Sequence, residues 1–458
     1  MKNSLNLALF YLFANFTFLL HAQDVISDSG MVASAHPLAS KAGLEILNRG
    51  GNAVDAAVAT AFALAVVEPN ASGLGGGGFM VIKMANMEKG VTISYRESAP
   101  STAEAEFYYA EEPGFSILTH HGAYSVGVPG VVAGLTMALE NYGTMQLKEV
   151  IEPAVKYARD GFEVSEKFSG MIIQAYDLIS SNPATSEIYL VDGLPPETGA
   201  RITNPDLAAT FEKLAKNGSD WFYQGEMAKA LSAEVKNQGG ELKESDLQKY
   251  KAILKQPVYG TYRGYEIISS APPTGGGTHL VELLNILEGY NLTKLGYNSP
   301  AYLHILAEAM KMCFADKTQN MADPEFYNVP MEKLTSKEYS SSRRALINEN
   351  KTLDDYQAPN MVSRESGSTT HLSVVDLQDN MVALTQSINY WFGSGITVPG
   401  TGVLLNNHLA DFSEEAGNPN SIEPDKQPVS SIAPTLILKN GKPFSRSALP
   451  VARESSVH

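Results

Sequence analysis

The chain has one cysteine, Cys313, in 458 residues. No internal disulfide is available, so burial of apolar surface must hold the fold even in an oxidising compartment. Set in KMCFADK within helical periodicity, Cys313 reads as a small buried apolar residue and not as a nucleophile. Positive charge is also in deficit: 34 Lys and Arg stand against 50 Asp and Glu, a formal net charge of −16. That excludes a nucleic-acid binder, whose phosphate contacts need a basic surface. Beyond the N-terminus no apolar run is long enough to cross a bilayer. His36, His120, His121, His279, His304 and His371 include one adjacent pair and no H-E-x-x-H or Cys/His ligand set. Neither a metal nor another cofactor is expected.

What is present is ordinary globular composition, 44% hydrophobic and 18% charged, which argues against disorder. With no fixed repeat and no Pro/Ser linker, one large domain is expected in spite of the length. Residues 1–23 place Lys2 ahead of a nearly all-apolar stretch, 5–20, and end near Leu20-His21-Ala22. This pattern reads as a secretory signal peptide and implies a periplasmic or extracellular destination, with an uncleaved membrane anchor as the alternative. After its removal no contact with a membrane is expected.

Along the chain, Asn52 is positioned to cap a helix through VDAAVATAFALAVVE, with Asp55 three residues on, and Gly50-Gly51 to stop the helix before it. The next segment contains G-L-G-G-G-G at 73–78, a formal match to G-x-G-x-x-G. The order is wrong for a nucleotide loop, which follows a strand and opens a helix; here a helix precedes and the strand-like FMVI follows. Such a glycine run instead lets backbone pass close to another segment. From 147 to about 290, amphipathic helices alternate with the strand-like YRGYEIISS, a mixed α/β pattern. Residues 340–368 lack apolar periodicity and read as a long loop. The segment TTHLSVVDLQDNMVALTQSIN then reads as two strands around an Asp-Asn turn, each alternating apolar and polar residues.

Thr369 opens the first of these strands. A threonine hydroxyl is a poor nucleophile without an adjacent base, and the α-amine of an N-terminal threonine can serve as one. Thr369 becomes N-terminal only if its hydroxyl first attacks the carbonyl of Ser368 and the resulting ester is hydrolysed. From the residues alone Ser-Thr-Thr reads first as an ordinary strand opening.

The stretch ESGSTTHLSVVD closely resembles the cleavage site of the γ-glutamyltransferase (glutathione hydrolase) family of N-terminal-nucleophile hydrolases. VASAHPLASKAGLEILNRGGNAVDAAVA, SGLGGGGFMVI, YRESAP, GVPGVVAG, PPTGGGTH, FGSGI, LLNN and PVSSIAPTLIL resemble further family segments, in the family's order, over residues 30–444. The resemblance implies an α+β fold, a four-layer αββα sandwich, and maturation into a large chain (24–368) and a small chain (369–458). It implies Thr369 as nucleophile, with self-cleavage between Ser368 and Thr369. Ser387 stands where many relatives have a second threonine hydrogen-bonded to the nucleophile. By similarity Arg96 would grip a substrate α-carboxylate bidentately, the alternative being an internal ion pair with Glu97 or another acid; Ser430 and Ser431 would share that carboxylate, and Asp411 would hold the α-amine. Asn389 matches a substrate-binding asparagine. His408 occupies a position often filled by Gln or Glu, which suggests a shifted substrate preference. The implied partners are a small γ-glutamyl compound and an acceptor amine or water; an acylase or poly-γ-glutamate-processing activity is the alternative.

Acyl transfer also needs donors for the oxyanion. In the family these are backbone N–H groups of a Gly-Gly pair shortly after the strand that holds TLIL. The segment SRSALPVARESSVH, 445–458, has no Gly-Gly pair, so no oxyanion-hole residue is assigned. Permitted codons read one base out of frame can spell a Pro-Gly-Gly segment there. The expectation is therefore an atypical, frameshifted tail, a sandwich lacking its C-terminal strands, and, as a second possibility, an uncleaved product without catalysis.

Overall fold

A computed structural model of the chain describes residues 30–353 and 368–444. The expected signal peptide, part of the expected loop (354–367) and the tail 445–458 with its bearing on the Gly-Gly pair lie outside the described residues.

The N-terminal helices are α1 (Pro37–Asn48) and α2 (Ala53–Val67). Asn52 starts α2 with a capping box: its side-chain oxygen accepts from the N–H of Val54 and Asp55, at 2.8 and 3.1 Å, and the Asp55 carboxylate accepts from the Asn52 N–H at 2.8 Å. A cap of this kind contributes about 1 kcal/mol. Every residue of α2 is buried, including Asp55, whose carboxylate is satisfied by the N–H groups of Thr144 and Met145. Three further helices, α3 (Val131–Tyr142), α4 (Leu147–Asp160) and α5 (Pro205–Asn217), belong to this layer.

Ten strands form two antiparallel sheets. They are β1 (Met31–Ser34), β2 (Gly77–Lys83), β3 (Val91–Tyr95), β4 (Ile253–Lys255), β5 (Val258–Tyr262), β6 (Tyr265–Ser269), β7 (Thr369–Val375), β8 (Met381–Ser387), β9 (Thr435–Lys439) and β10 (Lys442–Pro443). The larger sheet runs β1-β7-β8-β2-β3-β4 and the smaller β10-β9-β6-β5. Alternation along the strands gives the larger sheet two apolar faces. Met80, Ile82, Leu372, Val374, Val382 and Leu384 pack into the core made with α1 to α5. Val81, Val375, Met381 and Ala383 meet Ile268, Leu436 and Leu438 of the smaller sheet. The outer face of that sheet, through Val258 and Ile267, covers Val281 of α6 (Gly275–Glu288), which is backed by α7 (Pro300–Asn320) and α8 (Lys337–Arg344). The layers therefore run helix, sheet, sheet, helix. Cys313 is buried on α7 within the last of them.

One difference from the sequence reading has a physical cause. Residues 340–344 belong to helix α8 and not to a loop. The helix is strongly polar, but Tyr339 and Arg343 both bond the Asp316 carboxylate on α7, at 2.9 to 3.0 Å, so tertiary partners supply what apolar periodicity does not. Strand β8 is buried along its whole length, polar positions included, because helices cover one face and the smaller sheet the other. Among the described residues no helix is long and apolar enough to cross a membrane.

Candidate active site

Strand β7 begins at Thr369, whose Cα partner on β8 is Ser387. Alternation turns Thr370, Leu372 and Val374 toward the helices and Thr369 toward the smaller sheet. The glycine run holds this register from the other side of β8: Gly77 pairs with Ser387 and Gly78 with Gln386. A Cβ on Gly76 would collide with the Ser387 carbonyl oxygen, which is why the close backbone approach expected of this segment requires glycine.

The Ser387 hydroxyl uses its full hydrogen-bonding capacity of one donor and two acceptor sites. It donates to the Ser368 carbonyl oxygen at 2.9 Å and accepts from the Asn389 N–H at 2.8 Å and the Thr369 hydroxyl at 3.3 Å. The nucleophile candidate and the carbonyl it would attack are thus joined through one oxygen, with the Ser368–Thr369 peptide bond intact. Asn389 sits at the turn beyond β8 with φ +76°, and its side-chain amide donates to the Asn407 carbonyl at 3.1 Å.

Arg96 follows β3 and is completely buried. Its guanidinium donates to the carbonyl oxygens of Pro428 and Val429, at 3.1 and 3.2 Å, and pairs with Glu97 at 3.3 Å and with Asp411. The two residues assigned to opposite ends of a substrate's amino-acid group are therefore partners of each other here. The Arg96 side chain is 0% exposed and that of Asp411 29%, so only the acid has an open side for a ligand. Asp411 lies on the short turn His408–Asp411. His408 on the same turn is buried, with Nδ1 2.7 Å from a Glu97 carboxylate oxygen.

Ser430 is buried beside the segment that opens α6: its N–H donates to the Pro273 carbonyl at 3.2 Å, and its carbonyl accepts from the Gly275 N–H at 2.8 Å. A Cβ on Gly276 would strike the carbonyl oxygens of Ser431 and Ile432, and one on Gly277 that of Ser270, which accounts for the second and third glycines of PPTGGGTH. Ser431 is exposed and its hydroxyl accepts from the Lys317 ammonium of α7.

The fold thus brings together Ser368, Thr369, Ser387 and Asn389 in one group, and Arg96, His408, Asp411, Ser430 and Ser431 along the segments 408–411 and 428–431. Sequence reasoning passed over two side chains that the structure makes central, Lys317 and Glu68. Glu97, weighed from the sequence as an internal ion-pair partner of Arg96, is that partner and also joins Arg96 to His408. Lys317 reaches Ser431 from a helix remote in sequence. Glu68, at the end of α2, accepts from the Thr370 hydroxyl, and burial pushes its carboxyl above the ordinary value while that hydrogen bond pulls it down. His371, two residues beyond Thr369, bonds Thr385 and Ser373 at 2.7 and 3.0 Å, and burial pushes its imidazole down to about 4. It is a neutral structural partner at ordinary pH.

The family model described as Gamma-glutamyltranspeptidase matches residues 39–447. The glutathione hydrolase proenzyme of Escherichia coli (strain K12) is 39% identical over 442 residues, covering 93% of this chain and 76% of that protein. The acylase ACY 1 proenzyme of Pseudomonas sp. (strain SE83) is 40% identical over 430 residues, covering 92% and 76%. Among solved structures, cephalosporin acylase from Bacillus halodurans aligns with a TM-score of 0.83 at 29% identity, over 93% of this chain and 78% of that one. Helicobacter pylori gamma-glutamyltranspeptidase aligns with a TM-score of 0.71 at 37% identity, over 76% of this chain and 100% of that one.

Proposed function

This chain belongs to the gamma-glutamyltranspeptidase family and is an enzyme of that type; from this premise we propose that it cleaves itself between Ser368 and Thr369 and then transfers γ-glutamyl groups through a Thr369 ester. The observation that carries the reading is the Ser387 hydroxyl, held between the Thr369 hydroxyl and the Ser368 carbonyl. In the first stage the Thr369 hydroxyl oxygen adds to the Ser368 carbonyl carbon and the C–N bond breaks. The hydroxyl proton ends on the departing amine, leaving Ser368 esterified to Thr369. Water adds to the ester, releasing the Ser368 carboxylate and a Thr369 that carries both a free amine and a free hydroxyl. Throughout, Ser387 polarises the carbonyl by donating to its oxygen.

In the second stage the free α-amine of Thr369 takes the hydroxyl proton as the oxygen attacks a γ-glutamyl amide. The leaving amine departs with that proton, and the ester passes the γ-glutamyl group to water or to an acceptor amine. Arg96 and the Ser430–Ser431 pair suit an α-carboxylate and Asp411 an α-amine. Substrate would have to exchange with the internal Arg96–Asp411 pair, carboxylate replacing carboxylate on the guanidinium and ammonium replacing guanidinium on the acid. Glutathione or a related γ-glutamyl compound has both groups. The apolar segment 5–20 supports export to the periplasm or the exterior, with 24–368 and 369–458 as the two mature chains.

A second reading within the same chemistry is an acylase. It is favoured by His408 lying against Glu97, and by the similarity to the acylase ACY 1 proenzyme and cephalosporin acylase. The test of the main reading is the full chain and its Thr369→Ala variant on denaturing gels, with the small fragment sequenced from its N-terminus. The expected result is a fragment beginning at Thr369 in the wild type, none in the variant, and turnover of a γ-glutamyl anilide by the cleaved protein alone. A fragment beginning elsewhere, or cleavage by the variant, overturns it. Faster turnover of acyl side-chain amides than of the γ-glutamyl anilide would favour the acylase.

A further inference from the structure

We infer that the turn 68–72, which leaves the buried helix α2, is a clamp that presets the Ser368–Thr369 bond for self-cleavage, with Glu68 as a positioning residue. The inference rests on the self-cleavage reading above and deepens it. The residues on both sides of Thr369 are tied to this turn from the face of the sheet opposite the nucleophile. The Ser368 hydroxyl donates to the Asn70 carbonyl at 3.0 Å, and the Thr370 hydroxyl donates to the Glu68 carboxylate. Between these two anchors Thr369 alone faces Ser387. Attack on the preceding carbonyl needs rotation about bonds of Thr369 and Ser368, and fixing both flanks confines that rotation to the residue that must react.

The same turn holds the other half of the site. The Asn70 carbonyl also accepts from the Phe392 N–H at 3.0 Å, and the Ala71 carbonyl from the Ile388 N–H at 3.2 Å. The Gln386 side chain donates to the Ser72 hydroxyl at 2.6 Å and to the Ala61 carbonyl inside α2 at 3.1 Å. One five-residue turn therefore ties the strand that carries Thr369 to the segment 386–392 that carries Ser387 and Asn389. The turn is itself closed by the N–H groups of Ala71 and Ser72 donating to the Glu68 carbonyl, both at 3.1 Å. Its rigidity comes from α2, whose wholly buried surface leaves it no freedom to shift.

What Glu68 must supply is an acceptor for the Thr370 hydroxyl, which glutamine also offers and alanine does not. The test follows the half-time of precursor conversion in full-length wild type, Glu68→Ala, Glu68→Gln and Thr370→Val. Unfolding of each is measured in a Thr369→Ala background that keeps the chain in one piece. Glu68→Ala and Thr370→Val are expected to slow conversion about tenfold or more, and Glu68→Gln to stay within about threefold of wild type. Conversion of Thr370→Val at the wild-type rate overturns the clamp, and this arm decides alone if Glu68→Ala does not fold. Glu68→Gln as slow as Glu68→Ala also overturns it, since charge and not acceptance would then be the role. A wild-type chain that stays intact or is cut elsewhere refutes the self-cleavage reading itself, whereas correct cleavage with unaffected variants refutes only the clamp.

Discussion

Replacing Ser387 with alanine removes one oxygen and three contacts, and their consequences differ in size. The Ser368 carbonyl loses the donor at 2.9 Å. Loss of a donor to a developing oxyanion costs about 3 to 4 kcal/mol of barrier, a factor of roughly a hundred to a thousand in rate. The Asn389 N–H, buried and bonded to the same oxygen at 2.8 Å, is left without that acceptor. An orphaned buried donor costs about 1 to 3 kcal/mol of stability. The Thr369 hydroxyl contact at 3.3 Å is long and contributes least. A domain stable by about 5 to 15 kcal/mol survives the second loss, so the first dominates what is observed. Ser387→Ala should accumulate as folded, uncleaved precursor that converts about a hundredfold more slowly than wild type. Ser387→Thr, which restores the hydroxyl, should convert normally. Conversion is followed on denaturing gels and stability by urea unfolding in a Thr369→Ala background. An alanine variant that folds and converts within about threefold of wild type would refute the reasoning, because the hydroxyl would then contribute little to the barrier.

Arg96→Lys should raise KM for a γ-glutamyl anilide by about a hundredfold with a smaller change in kcat, since a point ammonium cannot replace a fork shared among Pro428, Val429, Glu97 and Asp411. Removing the fork also leaves buried partners unpaired, and urea unfolding should show a loss of about 3 kcal/mol. His371 is held neutral by burial at a pKa of about 4, below its ordinary 6.5. The unfolded chain therefore takes up the proton first as pH falls, so this stability is fully present above 6.5 and is lost as pH drops toward 4. Between about pH 7 and about pH 5 the Thr369→Ala protein should lose about 1 to 2 kcal/mol more than the same protein carrying His371→Gln, measured by denaturant unfolding. Equal losses would show that folding does not lower the pKa of His371.

Helix α2 and the β7–β8 hairpin were legible because their signals are local. Asn52 and Asp55 sit three residues apart at a helix start, and an Asp-Asn turn separates two runs of strand-forming residues. Helix α8 was not legible, since its partner Asp316 is on another helix and its own residues carry no apolar stripe. Burial of both faces of β8 was not legible in its alternation, which reports side-chain polarity and not what covers each face. Gln386, polar and wholly buried, is paid for by donating to Ala61 and Ser72, contacts that do not exist until the helix layer is in place.

By itself the sequence determined the inventory and its punctuation: a buried alanine-rich helix, a glycine run built for close backbone approach, a strand opening at Thr369, and the residue types suited to an amino-acid substrate. Tertiary structure decided who meets whom. It set Thr369 opposite Ser387, turned Arg96 toward Asp411, placed His408 against Glu97 and tied both flanks of Thr369 to the end of α2. The division follows from range: caps, turns and periodicity act over a few residues, whereas the Thr369 site draws on Ser387, 18 residues away, and on flanking anchors at Asn70 and Glu68, 298 and 302 residues away, that only sheet register and packed layers bring within hydrogen-bonding distance.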